Sequence, residues 1–329
     1  MAGEVTEGKR RPRFQLLDIL RGVAILAMIV FHIGWDLYYF GYSNVDVTTE
    51  FGWVVFQKAI LSSFLLLVGA GLVLGHGDGV RWPSFWRRFG LVAIAALATT
   101  AGTYWMFPEF FVFFGVLHAI ALFSLAGLAF LRLTPWLTAL LGVIVIAANF
   151  AWNDPAFSSR ELGWIGFWPV SPPTSDVVPI FPWFGVVLLG IAGMRLILAG
   201  PLAPRLAGLH SETSPARGLA FLGRWSLLIY VLHQPLIIGV LYALMQLQTP
   251  VIAPPVLTMS ERFVDACTDS CVATGNTTGF CERLCQCALA EAEPEGLVAI
   301  PDLAALTPEQ RARLDEIGAQ CRVAAEAAP

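Results

Sequence analysis

The chain has 329 residues, 57% hydrophobic and 13% charged, with a formal net charge of -4 and a mean hydropathy of +0.68. Soluble domains carry about 25% charged residues, so this composition excludes an ordinary soluble fold and defines a polytopic membrane protein surrounded by lipid. No basic nucleic-acid-binding pattern, low-complexity tract or solenoid period interrupts the chain, which excludes nucleic acid as a partner.

Residues 1–13, with Lys9, Arg10, Arg11 and Arg13, read as a basic cytoplasmic tail. The apolar stretch that follows, RFQLLDILRGVAILAMIVFHIGWDLYYF, is long, carries ionisable residues and lacks a small-residue cleavage site. It is therefore expected to stay as the first span rather than leave as a signal peptide. Runs long enough to cross a hydrocarbon core of about 30 Å lie near residues 15–40, 52–75, 86–107, 110–131, 134–152, 177–199 and 218–247, which gives about seven transmembrane helices within residues 14–249. Residues 153–176 contain Trp164, Trp168, Pro169, Pro172 and Pro173 in an apolar segment too short to span. It fits an interfacial or re-entrant loop on the outer face, with its tryptophans serving as anchors or, alternatively, lining a sugar site.

Arg81, Arg87, Arg88, Arg132, Arg195, Arg205, Arg217 and Arg224 share alternate connections with the basic tail, whereas Asp46, Glu50, Glu109, Asp154, Glu161 and Asp176 occupy the others. The positive-inside rule places the N-terminus in the cytoplasm, and an odd number of spans sends the C-terminus to the periplasm. Arginine outnumbers lysine eighteen to two, a usage typical of GC-rich bacterial genomes, so the expected location is a bacterial inner membrane.

After Pro254 and Pro255 the composition changes, and all six cysteines fall in residues 250–329. Cys267 and Cys271, then Cys281 and Cys285, form two C-x3-C pairs, each on one face of an amphipathic helix. A helical hairpin with rungs Cys267–Cys285 and Cys271–Cys281 follows from that spacing, leaving Cys287 as the partner of Cys321. Thr307, Pro308 and Gln310 supply an N-cap, an N1 proline and a capping-box residue for a third helix. Six cysteines allow fifteen connectivities, so the pairing, which resembles twin C-x3-C hairpin proteins, stands as a geometric expectation. A cytoplasmic metal site is the alternative, but metal sites more often use C-x2-C and the topology puts this region in an oxidising compartment. No metal is expected. The overall fold class is all-α, a membrane helix bundle followed by a small disulfide-rich helical domain.

Asp18, Arg21, His32 and Asp36 fall on a single face of the first span. Arg21 and His32 are three turns apart, roughly 16 Å along the axis. Ionisable groups cost at least about 2.5 kcal/mol each at the centre of a membrane helix, so a polar stripe marks a cavity, partner or substrate. His32 is the candidate base, or transient acyl carrier, for a group transfer. Asp36, one turn onward, is placed to orient its imidazole, though an interfacial or capping charge is the plainer role. Arg21 suits a phosphate-bearing cofactor, and Asp18 either shares that site or holds Arg21 in an ion pair. His118 and His233 lie inside later spans and either line a shared polar path or pack helices together. His76 and His210 read as cytoplasmic loop residues.

LDILRGVAILAMIVFH, with Arg21 and His32 separated by ten residues, resembles the R-x10-H motif of membrane-bound acyltransferases that O-acetylate surface glycans. FHIGWDL, SSFLLLVGAGLVLG, FFGVLHAIAL, FPWFGVVLLGIAG and GRWSLLIYVLHQPLI together resemble the bacterial branch of the heparan-alpha-glucosaminide N-acetyltransferase family over residues 14–247. The resemblance implies an integral-membrane acetyltransferase that takes acetyl from cytoplasmic acetyl-CoA and delivers it to a sugar or glycan amine or hydroxyl in the periplasm. In the lysosomal member the active histidine follows the first span. The Gly41–Glu50 loop here has no histidine, so the heparan substrate does not carry over. The rival reading is a non-enzymatic carrier or docking subunit whose residues 256–329 bind a periplasmic protein.

Overall fold

The computed structural model describes residues 14–208, 211–247, 259–274, 276–299 and 307–327. The basic tail, His210 and the Pro254–Pro255 pair lie outside them. The chain divides into two compact units, Met1–Thr249 and Pro250–Pro329.

The first unit is built from α1 (Gln15–Tyr39), α2 (Phe51–His76), α3 (Trp82–Met106), α4 (Val116–Phe130), α5 (Pro135–Ala151), α6 (Ile180–Ala199), α7 (Leu202–Gly208), α8 (Ser214–Arg224) and α9 (Ser226–Leu247). Among the described residues the only strand-like pairing is one isolated parallel bridge, Phe114 to Val177. α1, α2, α3, α6 and α9 are long and apolar enough to cross a membrane, whereas α4 and α5 are apolar but shorter. At 1.5 Å per residue, the 15 residues of α4 reach about 22 Å.

The run expected at 110–131 therefore becomes helical only at Val116. Residues 110–114 are held extended by the returning 175–178 segment, through Ser175 N–H to Phe110 O at 2.8 Å and Val178 N–H to Phe114 O at 3.0 Å. The last run is likewise two elements, because amphipathic α8 ends at Arg224 and α9 starts at Ser226. The loop from 153 to 176 folds on itself. The Trp164 and Trp168 indoles donate within it, to Glu161 O at 2.7 Å and Gly163 O at 3.0 Å.

Helix contacts in lipid come from close packing rather than from the hydrophobic effect, and small residues permit it. A Cβ on Gly69 of α2 would lie 2.3 Å from Val187 O of α6, and one on Gly190 of α6 would lie 2.4 Å from Leu66 O of α2. Gly185 of α6 meets Gly142 of α5 in the same way, at 2.5 Å from its carbonyl oxygen. These contacts surround a core in which Leu65, Phe123, Leu188 and Ile191 are fully buried.

The second unit contains α10 (Met259–Ala273), α11 (Thr278–Ala292) and α12 (Pro308–Ala327). Disulfides join Cys267 to Cys285, Cys271 to Cys281 and Cys287 to Cys321. Thr307 and Gln310 form a reciprocal capping box, with Gln310 N–H donating to Thr307 Oγ1 at 3.2 Å and Thr307 N–H to Gln310 Oε1 at 2.9 Å. Ala288, Ala292, Leu297, Val298, Ile317 and Cys321 make a small core. So few apolar side chains stabilise little alone, and the crosslinks compensate by restricting the unfolded chain.

Candidate active site in the membrane unit

α1 turns its polar stripe inward: Asp18 and Asp36 are buried together with Gly22, Ile25 and Met28. At one end, Arg21 Nη1 donates to Asp18 Oδ1 at 3.2 Å. α8 reaches this end through a close crossing, since a Cβ on Gly223 would lie 1.8 Å from Asp18 O and one on Gly22 would lie 2.1 Å from Leu219 O. Gly71 of α2 leaves room for two guanidinium groups. A Cβ there would sit 3.2 Å from Arg21 Nη2 and 3.7 Å from Arg88 Nη1.

A cavity of about 280 Å³ opens between α1, α2, α3, α4, α8 and α9. Asp18, Arg21, Arg88 and Arg224 give it a cationic end, and Leu67, Ile120 and Leu227 contribute apolar walls. Guanidinium groups present paired donors that match phosphate or carboxylate oxygens. The cavity also touches Val116 and Tyr230. Val116, the first residue of α4, donates its N–H to Asp176 Oδ2 at 3.0 Å. Burial in the packed loop pushes the Asp176 carboxyl up to about 6, against the opposing pull of that hydrogen bond.

Tyr230 leads to the histidines. The His233 ring lies 5.7 Å from the Tyr230 ring and 4.7 Å from that of His32. His233 Nδ1 is 2.6 Å from the Tyr230 carbonyl oxygen. A carbonyl only accepts, so Nδ1 carries the proton and Nε2 of the neutral ring is the bare acceptor. That Nε2 is buried without a partner. Asp36, fully buried, accepts at Oδ1 from Gln234 Nε2 at 2.8 Å.

The stripe thus splits by partner. Arg21 faces Arg88, His32 faces His233, and Asp36 bonds to α9 rather than being tied to His32. His118 is engaged at both nitrogens: Gly115 N–H donates to Nδ1 at 3.3 Å, and Nε2 stands 3.2 Å from Thr100 Oγ1. Thr100 donates its own hydroxyl proton to Val112 O at 2.7 Å, so His118 Nε2–H is the donor in that pair. His118 thereby fastens the start of α4 to α3.

Arg88, Arg224, Asp176, Tyr230 and Gln234 join the site without having been singled out by sequence. For Tyr230 and Gln234 the available signal was spacing, since Tyr230, His233 and Gln234 share one helical face in an apolar run. Among the described residues no cluster of three or more His, Cys, Asp or Glu side chains is arranged to hold a metal ion.

A helical bundle with several membrane-length apolar helices, an arginine-lined cavity and a pair of intramembrane histidines defines a multi-pass membrane protein. Comparison with protein families matches residues 13–235 to the family described as heparan-alpha-glucosaminide N-acetyltransferase, catalytic. That match covers more than half of the chain, and the protein belongs to this family of membrane acetyltransferases. No curated protein and no solved structure matches it.

Proposed function

We propose that the membrane unit transfers acetyl from cytoplasmic acetyl-CoA to an amine or hydroxyl of a sugar or glycan in the periplasm, with the N-terminus cytoplasmic and the C-terminal unit periplasmic. The single observation that carries this reading is the arginine-ended cavity lined also by Tyr230, which contacts His233, whose ring lies 4.7 Å from that of His32.

Arg21, Arg88 and Arg224 bind the phosphates of the donor, and Asp18 holds Arg21 in register. Arg21 and His32 stand eleven positions apart on α1, roughly 16 Å, comparable with an extended pantetheine arm. His32 takes the proton from the acceptor as the new bond to the acetyl carbon forms and the C–S bond breaks. The electron pair leaves on sulfur, and His32 returns the proton to the departing thiolate. His233 and His118 belong to the acceptor path, His118 by holding the α4 N-terminus in place. Asp36 acts on the site through α9.

Family membership supports the acetyl donor, and the cation cluster supports a donor that carries phosphate. Equilibrium binding of labelled acetyl-CoA to the purified full chain tests this part. Wild-type protein is expected to bind saturably, with acetyl-CoA displaced by CoA and with binding weakened at least tenfold in Arg21→Ala. Absence of binding in both would refute the donor assignment.

A further inference from the structure

Among the described residues of the membrane unit, three buried side-chain atoms lack a hydrogen-bond partner: Asp36 Oδ2, His233 Nε2 and Gln234 Oε1. Two of them belong to side chains already in contact, because Gln234 Nε2 donates to Asp36 Oδ1 at 2.8 Å. An amide group offers one donating and one accepting side, and a carboxylic acid offers the same pair in reverse. A proton on Asp36 Oδ2 would supply the donor that Gln234 Oε1 lacks and would close the two groups into one cyclic acid–amide pair.

A carboxylate at this position would instead bury a charge with an unpaired oxygen. Asp36 is 0% exposed, and buried charge is retained only when it is paired and fully hydrogen-bonded. The titratable side chains around it on the two packed helices are His32, Tyr38 and Tyr39 of α1 and Tyr230 and His233 of α9. None of them hydrogen-bonds Asp36 Oδ2. Arg21 lies fifteen residues down α1, roughly 22 Å away along the axis.

We propose that Asp36 is a neutral carboxylic acid closed onto the Gln234 amide, an uncharged clamp between α1 and α9 that sets the spacing of the His32 and His233 rings. Asp36 is then a positioning residue and not the anionic partner of His32. The clamp leaves the third orphan as it is. With Asp36 and Gln234 satisfied by each other, His233 Nε2 is the one bare acceptor left beside His32. The inference goes beyond the proposed transfer, since the protonation state of Asp36 does not depend on which donor or acceptor binds.

Infrared difference spectroscopy of the lipid-reconstituted full chain at neutral pH tests it. The wild-type minus Asp36→Asn spectrum is expected to show the C=O stretch of a protonated carboxylic acid that shifts in heavy water. In Gln234→Leu, which keeps the acid but removes its partner, that band is expected to move to higher frequency. Thermal unfolding adds a second readout: Asn can close the same ring through its own N–H, so Asp36→Asn is expected to melt within a few degrees of wild type, well above Asp36→Leu. A carboxylate band in place of the acid band, an unmoved band in Gln234→Leu, or Asp36→Asn melting as low as Asp36→Leu would each overturn the clamp.

Discussion

Replacing Gly223 by alanine probes the crossing that supports the cationic end of the cavity. The new Cβ would lie 1.8 Å from the Asp18 carbonyl oxygen and 2.7 Å from its carbonyl carbon. Ordinary contact begins at 3.4 Å, so α1 and α8 must separate by roughly 1.5 Å. Both atoms are backbone, and no rotamer change relieves the overlap. Overpacking of this kind costs about 1 to 3 kcal/mol, offset by about 0.5 to 1 kcal/mol from replacing a helical glycine. The net loss is up to about 2.5 kcal/mol against wild type, and about 1 to 3 kcal/mol against a glycine-to-alanine change without the clash, a difference in Tm of about 2 to 12 °C. The assay is thermal unfolding of detergent-solubilised protein, with Gly102→Ala as the control because nothing lies within 4 Å of a Cβ there. Gly223 and Asp18 both line the cavity, so acetyl-CoA affinity is expected to fall with stability. If Gly223→Ala melts with Gly102→Ala, the close α1–α8 crossing is refuted.

Arg88→Ala is expected to raise the KM for acetyl-CoA by about 10- to 100-fold, the loss of one charge-assisted contact, with a smaller change in kcat; steady-state kinetics checks this. For Asp176, the folded carboxyl keeps its proton up to about 6, while its ordinary value is 3.8. Its contribution to stability is full below 3.8 and is lost as pH rises through 6, a change of up to about 3 kcal/mol. Melting curves across that window should decline for wild type and lie flatter for Asp176→Asn, which keeps an acceptor for the Val116 N–H. In the C-terminal unit, the Cys287→Ser, Cys321→Ser double variant opens a crosslink with a sequence separation of 34, and hydrogen exchange at α12 should show about 3 to 4 kcal/mol less protection.

Much of this architecture was legible because lipid imposes long apolar runs, and a charged residue inside one stands out. Asp18, Arg21, His32 and Asp36 declared themselves that way, and each faces a neighbouring helix or the cavity. Arg88 and Arg224 were harder to read, since a basic residue beside a span already has a topological explanation. Their place in the cavity lining depends on Gly71 leaving room beside Arg88 and on α8 crossing α1, neither of which is a local property. The late start of α4 was hidden for a similar reason. FFVFFGV is apolar enough to continue a span, and it is the pairing with residues 175–178, far along the chain, together with the His118 bond to Gly115 N–H, that sets the boundary. The helical hairpin was readable from spacing because C-x3-C places both sulfurs of a pair on one face, and Cys287–Cys321 followed as the pair left over, which the structure contains.

The assignment of Asp36 to His32 followed from the i, i+4 spacing on α1. That spacing brings two residues onto one face without saying what the opposite helix presents to each. α9 presents His233 to one and Gln234 to the other, so the pairing runs between helices rather than along one.

The most direct test of the central claim is transfer of labelled acetyl in sealed inside-out membrane vesicles, with acetyl-CoA outside and an amino sugar or envelope glycan enclosed. Wild-type protein is expected to acetylate the enclosed acceptor, and His32→Ala, folded to the same melting temperature, is expected to lose at least 99% of that transfer, since general base catalysis contributes about 10²- to 10⁴-fold. Unchanged transfer in His32→Ala, or no acetyl-CoA-dependent labelling by the wild type, would contradict it.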